Sequence, residues 1–198
     1  MQVKKRDGTL EDLNIDKLHK VVQYACEDIS GVSASQVEIN SNIQFYDGIA
    51  SEDVQETLIK SAADLISEET PNYQYVAGRL INYHLRKQVY GTFTPPCLCD
   101  IIQDNIDKGF YDAEFTDLYT KEDINELNDY INHERDEVLT YAAMEQFRGK
   151  YLVQNRASGE IFETPQVAYM MISATLFSKY PAETRMSYVK AYYDAIST

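Results

Sequence analysis

The apolar positions of roughly the first 90 residues recur mostly at the three- and four-residue spacing of amphipathic helices. These stripes predict four helices, over about residues 16–27, 33–45, 51–65 and 72–90. Residues 1–14 differ, because two short segments flank an Asp-Gly pair at positions 7 and 8, a pattern typical of a β-hairpin turn. We therefore expect this part of the chain to form a compact α+β unit.

Polar and small residues indicate where the predicted helices begin and end. Asp16 is expected to cap the first helix, and either Ser33 or Ser35 to open the second. Ser51 is expected to cap the third helix, whose first turn carries two acidic residues that complement the helix dipole. Gly91 is expected to end the fourth helix.

A pair of prolines marks the clearest internal boundary. Pro95 and Pro96 close a short segment, 92–96, that breaks helical structure and stiffens the chain, as a connection between domains should. Beyond it the pattern predicts helices over about 97–108, 121–132, 134–148, 166–177 and 181–195. One β-hairpin is expected, with strands at 151–155 and 160–163. The predicted fold class is therefore α+β, mainly α.

Composition and charge narrow the functional classes. The chain of 198 residues has a formal net charge of −14, which disfavours general binding to nucleic acid or to an anionic membrane. Hydrophobic residues make up 44%, as expected of a folded globular protein. No apolar run is long enough to span a bilayer, and the polar N-terminus does not resemble a secretory signal. We expect a cytoplasmic protein.

Cations are gathered at the N-terminal hairpin despite this acidic composition. Lys5 and Arg6 lie next to the predicted turn, Lys17 lies in the first turn of the first helix, and Lys87 lies near the end of the fourth. Clustered cations and helix N–H groups suit the phosphates of a nucleotide, so the pattern favours a small-anion sensor. The alternatives are a charged strand edge that resists pairing and, for Lys87, a cation that complements the helix dipole.

Side chains would have to supply such a site, because the sequence contains neither a Walker-type loop nor a Gly-x-Gly-x-x-Gly turn. Glu11 and Asn14 are candidates for an adenine edge or sugar hydroxyls, but a surface carboxylate and a turn asparagine explain them equally well. No catalytic triad stands out. Cys26, Cys97 and Cys99 are expected to be ordinary reduced thiols, because no second ligand pair at zinc spacing accompanies the Cys-x-Cys pair.

Several segments together resemble one protein family. They are residues 5–8 (KRDG), 44–49 (QFYDGI), 60–66 (KSAADLI), 71–75 (PNYQY), 84–87 (HLRK), 90–91 (YG) and 149–153 (GKYLV). In these segments the chain resembles the N-terminal part of the large subunit of class I aerobic ribonucleoside-diphosphate reductase, in its bacterial and tailed-phage branch. The similarity runs from residue 3 to residue 198 without an evident gap.

The resemblance implies a domain organisation and an effector site. Residues 1–91 would form an ATP cone, a regulatory domain that binds ATP or dATP, with Mg²⁺ expected to accompany the nucleotide and no covalent cofactor. Residues 92–96 would connect it to 97–198, the helical region that precedes a ten-stranded catalytic barrel. The implied effector-binding residues are Lys5, Arg6, Glu11, Asp12, Leu13, Asn14, Ile15, Asp16, Lys17, Ser51, Gln55, Tyr83 and Lys87.

The resemblance also implies that catalysis resides elsewhere. The family's catalytic and redox cysteines lie downstream of the matched region, so Cys26, Cys97 and Cys99 are not assigned those roles. The chain is expected to be inactive by itself, as an excised piece or as one part of a split subunit. Its implied partners are the remainder of the large subunit and the small radical-bearing subunit, which together make deoxyribonucleotides for DNA synthesis.

Two departures from the family pattern leave a second interpretation open. Ser51 stands where the family usually has Thr, and Gln55 stands where dATP-inhibited bacterial relatives have His, so that a neutral side chain replaces a titratable one. We therefore expect dATP to bind but to inhibit weakly or not at all. The alternative is a helical subunit-interaction module whose cone has lost nucleotide binding, although the retained Lys5, Lys17 and Lys87 favour an effector site.

Overall fold

The computed structural model describes residues 1–5, 8–42 and 44–198. Arg6 of the predicted cation cluster lies outside the described residues, as do Asp7 and Ile43. The predicted α+β, mainly α class is confirmed, because helices dominate and the strands form one small sheet. None of the helices in these ranges is both long and apolar enough to cross a membrane.

The first of two compact units consists of Met1–His84 together with Glu137–Glu145. Its N-terminal elements are β1 (Gln2–Lys4), β2 (Leu10–Asp12), α1 (Ile15–Cys26), α2 (Ala34–Asn42), β3 (Ile49–Ala50), α3 (Ser51–Ala63) and α4 (Tyr73–Tyr90). The hairpin and the four helices predicted for this region are therefore confirmed, and β3 is an additional short strand. Helix α4 continues past the end of this unit into the second.

The sheet is ordered β2-β1-β3, with β1 antiparallel to β2 and parallel to β3. Val3 at the centre of β1 lies opposite Glu11 of β2 and pairs with Ile49 of β3. Val3 and Ile49 are buried, whereas all of β2 is exposed. The sheet is thus anchored to the core through β1 and β3, and β2 forms its outer edge.

The helix starts differ in detail from the prediction. The cap of α1 is Asn14, whose Oδ1 accepts a hydrogen bond from the Lys17 backbone N–H at 2.9 Å, so the assignment of Asp16 as cap was wrong. The cap position of α3 is Ala50, and Ser51 is its first helical residue, so Ser51 as cap was also wrong. In both cases the strand before the helix keeps the backbone extended up to the cap residue, and this sets where the helix begins. Gly91 ends α4 as predicted, with φ of +73°.

The second compact unit consists of Leu85–Asp136 together with Gln146–Thr198. Beyond α4 the chain forms α5 (Leu98–Asp107), α6 (Phe115–Leu118), α7 (Lys121–Tyr130), a 3-10 helix (His133–Val138), α8 (Tyr141–Gln146), a π-helix (Phe147–Tyr151), α9 (Pro165–Phe177) and α10 (Ala182–Ser197). Its core brings together side chains of α5, α6, α7, α9 and α10. The short α6 was not predicted from the sequence.

Two predictions for this half were wrong. The single helix expected over 134–148 is divided into the 3-10 helix, α8 and the start of the π-helix. The reason is the fully buried Asp136, whose carboxylate accepts hydrogen bonds from Gln166 at 3.0 Å and from Arg86 at 3.4 Å, a tertiary demand that overrides helix propensity. The expected hairpin is reduced to one bridge, between Gln154 and Ile161.

Candidate functional site

Lys5 lies at the base of the hairpin turn. Its backbone N–H donates to Thr9 O at 2.8 Å, and Gly8 N–H donates to Lys5 O at 2.9 Å. The strand register makes Lys5 the diagonal neighbour of Glu11, and Lys5 Nζ lies 3.0 Å from Glu11 Oε2. The two side chains are 38% and 61% exposed, so this ion pair is weak and solvated. An incoming phosphate can therefore replace Glu11 beside Lys5 at small cost.

Ser51 is brought close to Lys5 by the parallel strand pair. Lys4 pairs with Ala50, so the next residues, Lys5 and Ser51, leave the sheet side by side, roughly 5 Å apart at the spacing of neighbouring strands. Ala50 supplies no side-chain cap to α3, and the helix dipole gives the start of α3 a partial positive charge. A cation and an uncapped helix start therefore lie together, an arrangement that suits a phosphate group.

Asn14 and Lys17 form a second group at the other end of β2. Leu13 N–H donates to Met1 O at 2.9 Å, which holds the start of α1 beside the beginning of β1. The three residues of β2 place this group roughly 10 Å from the hairpin turn, a separation that a nucleoside triphosphate can bridge. The remaining predicted residues of this stretch are exposed: Asp12, Ile15 and Asp16.

Helices α3 and α4 are adjacent one turn beyond Ser51. Glu56 Oε1 of α3 lies 3.6 Å from Nε2 of His84 on α4, and the His84 side chain is only 3% exposed. Gln55 comes just before Glu56, and Tyr83 comes just before His84. Gln55 and Tyr83 are both half-buried. The contact therefore places Gln55 and Tyr83 on neighbouring helices at the same level of the first unit.

Lys87 occupies the last turn of α4, as predicted. It is half-buried and lies four residues after Tyr83, so the two side chains share one helix face. Because α4 is one uninterrupted helix, the element that contacts α3 through His84 also carries Tyr83 and Lys87.

Comparison with known families gives a match at each end of the chain. Residues 1–88 match the ATP cone domain, and residues 137–198 match the all-alpha domain of ribonucleotide reductase. The chain thus combines an ATP cone domain with the all-alpha domain of ribonucleotide reductase. The resemblance proposed from the sequence segments is thereby confirmed.

Individual relatives agree with this assignment. The ribonucleoside-diphosphate reductase 1 subunit alpha of Escherichia coli (strain K12) is 52% identical over 196 residues, which are 99% of this chain and 26% of the relative. The subunit alpha of Haemophilus influenzae is 52% identical over 198 residues, which are 100% of this chain and 26% of the relative. The subunit alpha of Enterobacteria phage T4 is 39% identical over 200 aligned residues, and the match covers 100% of this chain and 26% of the relative. The chain thus spans about a quarter of the length of these curated relatives.

Glu137, the first residue of the all-alpha match, is held by helices of the part that matches the ATP cone domain. The Glu137 carboxylate accepts hydrogen bonds at Oε1 from Tyr24 Oη at 2.5 Å and from Asn82 Nδ2 at 3.1 Å. Arg79 Nε lies 3.6 Å from Glu137 Oε2 and donates to Glu137 O at 3.1 Å. We call these four residues the Glu137 clamp; it joins α1 and α4 to the start of the all-alpha region.

Next to the Glu137 clamp, the backbone of α4 lies very close to the backbone of residues 139–140. A Cβ added at Gly78 of α4 would lie 2.1 Å from Leu139 O, so only glycine fits there. Sequence reasoning missed this contact, because Glu137 falls in an acidic stretch that is typical of a solvated helix. The available signal was Gly78 itself, since a glycine inside an apolar helix often marks a close backbone approach.

Proposed function

We propose that residues 1–91 bind ATP and dATP, accompanied by Mg²⁺, as allosteric effectors of a ribonucleoside-diphosphate reductase. The observation that carries this proposal is the match of residues 1–88 to the ATP cone domain. The described cations support it, because in a chain of net charge −14 they stand at a hairpin turn and at a helix start, where phosphates bind well.

The proposed contacts come from both groups at the ends of β2, from the start of α3 and from the end of α4. Lys5, Lys17 and Lys87 would bind the triphosphate together with the start of α3. The adenosine would take Glu11, once its ion pair with Lys5 is broken, and the amide N–H groups of Asn14, whose Oδ1 already caps α1. The other residues in the proposed site are Arg6, Asp12, Leu13, Ile15, Asp16, Ser51, Gln55 and Tyr83.

The Glu137 clamp supplies a route for the regulatory output. Helix α1 has Asn14 as its cap and Lys17 in its first turn, and it carries Tyr24 near its other end, while α4 carries both Tyr83 and two clamp residues. A nucleotide that shifts α1 relative to α4 therefore changes how Glu137 is held. An effector acts only when it binds two states unequally, so ATP and dATP are proposed to favour different clamp arrangements.

In the cell, the proposed partners are the remainder of a reductase large subunit and the small radical-bearing subunit, in the cytoplasm. The chain would then set how these subunits meet, and so the supply of deoxyribonucleotides. The relatives that support this proposal are named as reductase alpha subunits, and this chain covers 26% of each.

Calorimetric titration of the chain with ATP and with dATP, each with Mg²⁺, tests nucleotide binding. Both nucleotides are expected to bind, and Lys5→Glu and Lys87→Glu should each weaken both by more than about 1.4 kcal/mol, or tenfold. Lys20→Glu is the matched control, because Lys20 is an exposed cation on α1 outside the proposed site. Equal losses in all three variants would contradict the assignment and indicate only a general effect of charge.

The second candidate function is a subunit-interaction module that no longer binds nucleotide, which Ser51 and the neutral Gln55 favour. Absence of heat and of any thermal shift at millimolar nucleotide would support this candidate against the effector site.

A further inference from the structure

Cys97 and Cys99 lie together at the start of α5, directly after the proline pair. Cys97 is the cap residue of α5, and the intervening Leu98 is 1% exposed. Leu98 N–H donates to Asn128 Oδ1 of α7 at 2.9 Å, which fixes the backbone between the two thiols. Both thiols are free and half-buried, Cys99 packs against the core of the second unit, and the two Sγ atoms are 2.6 Å apart.

The hydrogen bonds assign different roles to the two sulfurs. Cys97 Sγ accepts from the Cys99 backbone N–H at 3.4 Å, and Cys99 Sγ lies 3.8 Å from Asp100 Oδ1. The pKa of the Cys99 thiol is raised to about 11, first by its hydrogen bond with Cys97 and then by partial desolvation. A backbone N–H at a helix start stabilises a thiolate at Cys97, whereas the Asp100 carboxylate disfavours one at Cys99, so Cys97 is assigned as the attacking thiol and Cys99 as the resolving thiol.

We propose that Cys97 and Cys99 form a thiol–disulfide exchange site that takes a small disulfide from solution and closes to an intramolecular disulfide. The Cys97 thiolate attacks one sulfur of the disulfide, forms a mixed disulfide and releases one thiolate. Cys99 then gives its proton to a released thiolate and attacks the Cys97 sulfur, which expels the second thiolate. The external disulfide is reduced to two thiols and the cysteine pair is oxidised. This site is separate from effector binding.

The geometry favours a sulfur–sulfur bond over a metal. The two sulfurs and Asp100 carry ligand atoms within 4.8 Å of one another, a set that a soft ion could bind. However, two thiolates on a tetrahedral ion at bonds of about 2.3 Å lie roughly 3.8 Å apart, so metal binding requires the sulfurs to separate. Disulfide closure requires only a small further approach. The small ring it forms is easily reduced, as in disulfides that switch.

Cys26 provides an internal control. It lies on α1, and burial raises the pKa of its thiol to about 11. Cys26 is therefore expected to react slowly with disulfides.

The test is incubation of the full chain with mixtures of reduced and oxidised glutathione, then rapid alkylation and mass spectrometry of the peptides. The wild-type chain should lose the Cys97 and Cys99 thiols together, without bound glutathione, and excess dithiol should restore both. Cys99→Ser should stop at a Cys97–glutathione disulfide, Cys97→Ser should slow the reaction at least roughly tenfold, and Cys26→Ser should change nothing.

Three results would overturn the proposal. One is stable glutathione on both sulfurs of the wild-type chain, and another is equal reactivity of Cys97→Ser and Cys99→Ser. The third is a bound soft metal ion, detected with Cd²⁺ through thiolate absorbance, that protects the pair from glutathione. The nucleotide titration is independent of all three, so failure here leaves the effector proposal untouched.

Discussion

At the residue scale, Gln55 is the residue of the proposed site through which we expect ATP and dATP to differ in effect. It is half-buried on α3, one turn after Ser51, and it is neutral at every pH. Gln55→His should therefore make nucleotide affinity depend on pH, with binding roughly two- to tenfold tighter at pH 5.5 than in the wild-type chain, because an imidazolium attracts phosphate. Calorimetry at pH 5.5 and 8 measures this, and identical pH profiles for the two chains would contradict it.

The same residue bears on inhibition. In a reconstituted holoenzyme that carries this chain, dATP is expected to inhibit weakly or not at all. Strong inhibition at micromolar dATP would reject the role assigned to Gln55.

Single residues also show what the sequence could and could not predict. The cations Lys5 and Lys17 were found because they stand out from an acidic chain, and their positions at a turn and a helix start are confirmed. The cap residues of α1 and α3 were predicted wrongly. Asn14 and Ala50 occupy the cap positions because of where strands β2 and β3 end. Glu11 was read as a ligand candidate, and its ion pair with Lys5 follows from a strand register that no local pattern specifies.

At the scale of elements, the packing of residues 137–140 on α4 depends on one glycine. Gly78→Ala should destabilise the chain by several kcal/mol or prevent folding, because the new Cβ would meet backbone atoms of Leu139 and Thr140 that cannot move independently. Gly149→Ala is the matched control: a Cβ there meets nothing within 4 Å, so its effect should be small. Urea denaturation compares the two, and equal losses would contradict the close approach.

The Glu137 clamp makes a second prediction at this scale. Glu137→Gln should cost about 1–3 kcal/mol of folding free energy, because it weakens hydrogen bonds to a charged acceptor. Glu134→Gln, at an exposed position of the same 3-10 helix, should cost much less. In a double-mutant cycle with Tyr24→Phe, the two changes should couple. Strict additivity would show that Tyr24 and Glu137 do not act together.

The elements themselves were predictable to different degrees. Helices α1, α3, α5, α7 and α10 carry buried residues at helical spacing, so periodicity alone located them. Strand β3 was missed because it is two residues long and exists through pairing with β1. The break in 134–148 was missed because it depends on partners distant in sequence, Arg86 and Gln166, which hold Asp136.

At the scale of the whole molecule, His133 makes stability depend on pH. Burial, and secondarily the Arg86 guanidinium, lower the pKa of His133 from 6.5 to about 4. Between these two pKa values the unfolded chain binds a proton that the folded chain does not. The contribution of neutral His133 to the free energy of unfolding is therefore fully present above about pH 6.5 and is lost as pH falls towards 4. The free energy of unfolding, measured by urea denaturation, should therefore fall less between pH 7.5 and 5 in His133→Gln than in the wild-type chain. An unchanged loss would contradict this assignment.

An adenine nucleotide is proposed to bind where the hairpin, the start of α1, the start of α3 and the end of α4 carry the proposed residues. Hydrogen exchange of the full chain, with and without saturating ATP and Mg²⁺, locates the bound nucleotide. Exchange should slow at residues 5–17, at the first turn of α3 and around residues 83–87, while α9 stays unchanged. Protection confined to α9 and α10, or none at saturating nucleotide, would show that no nucleotide binds at these residues.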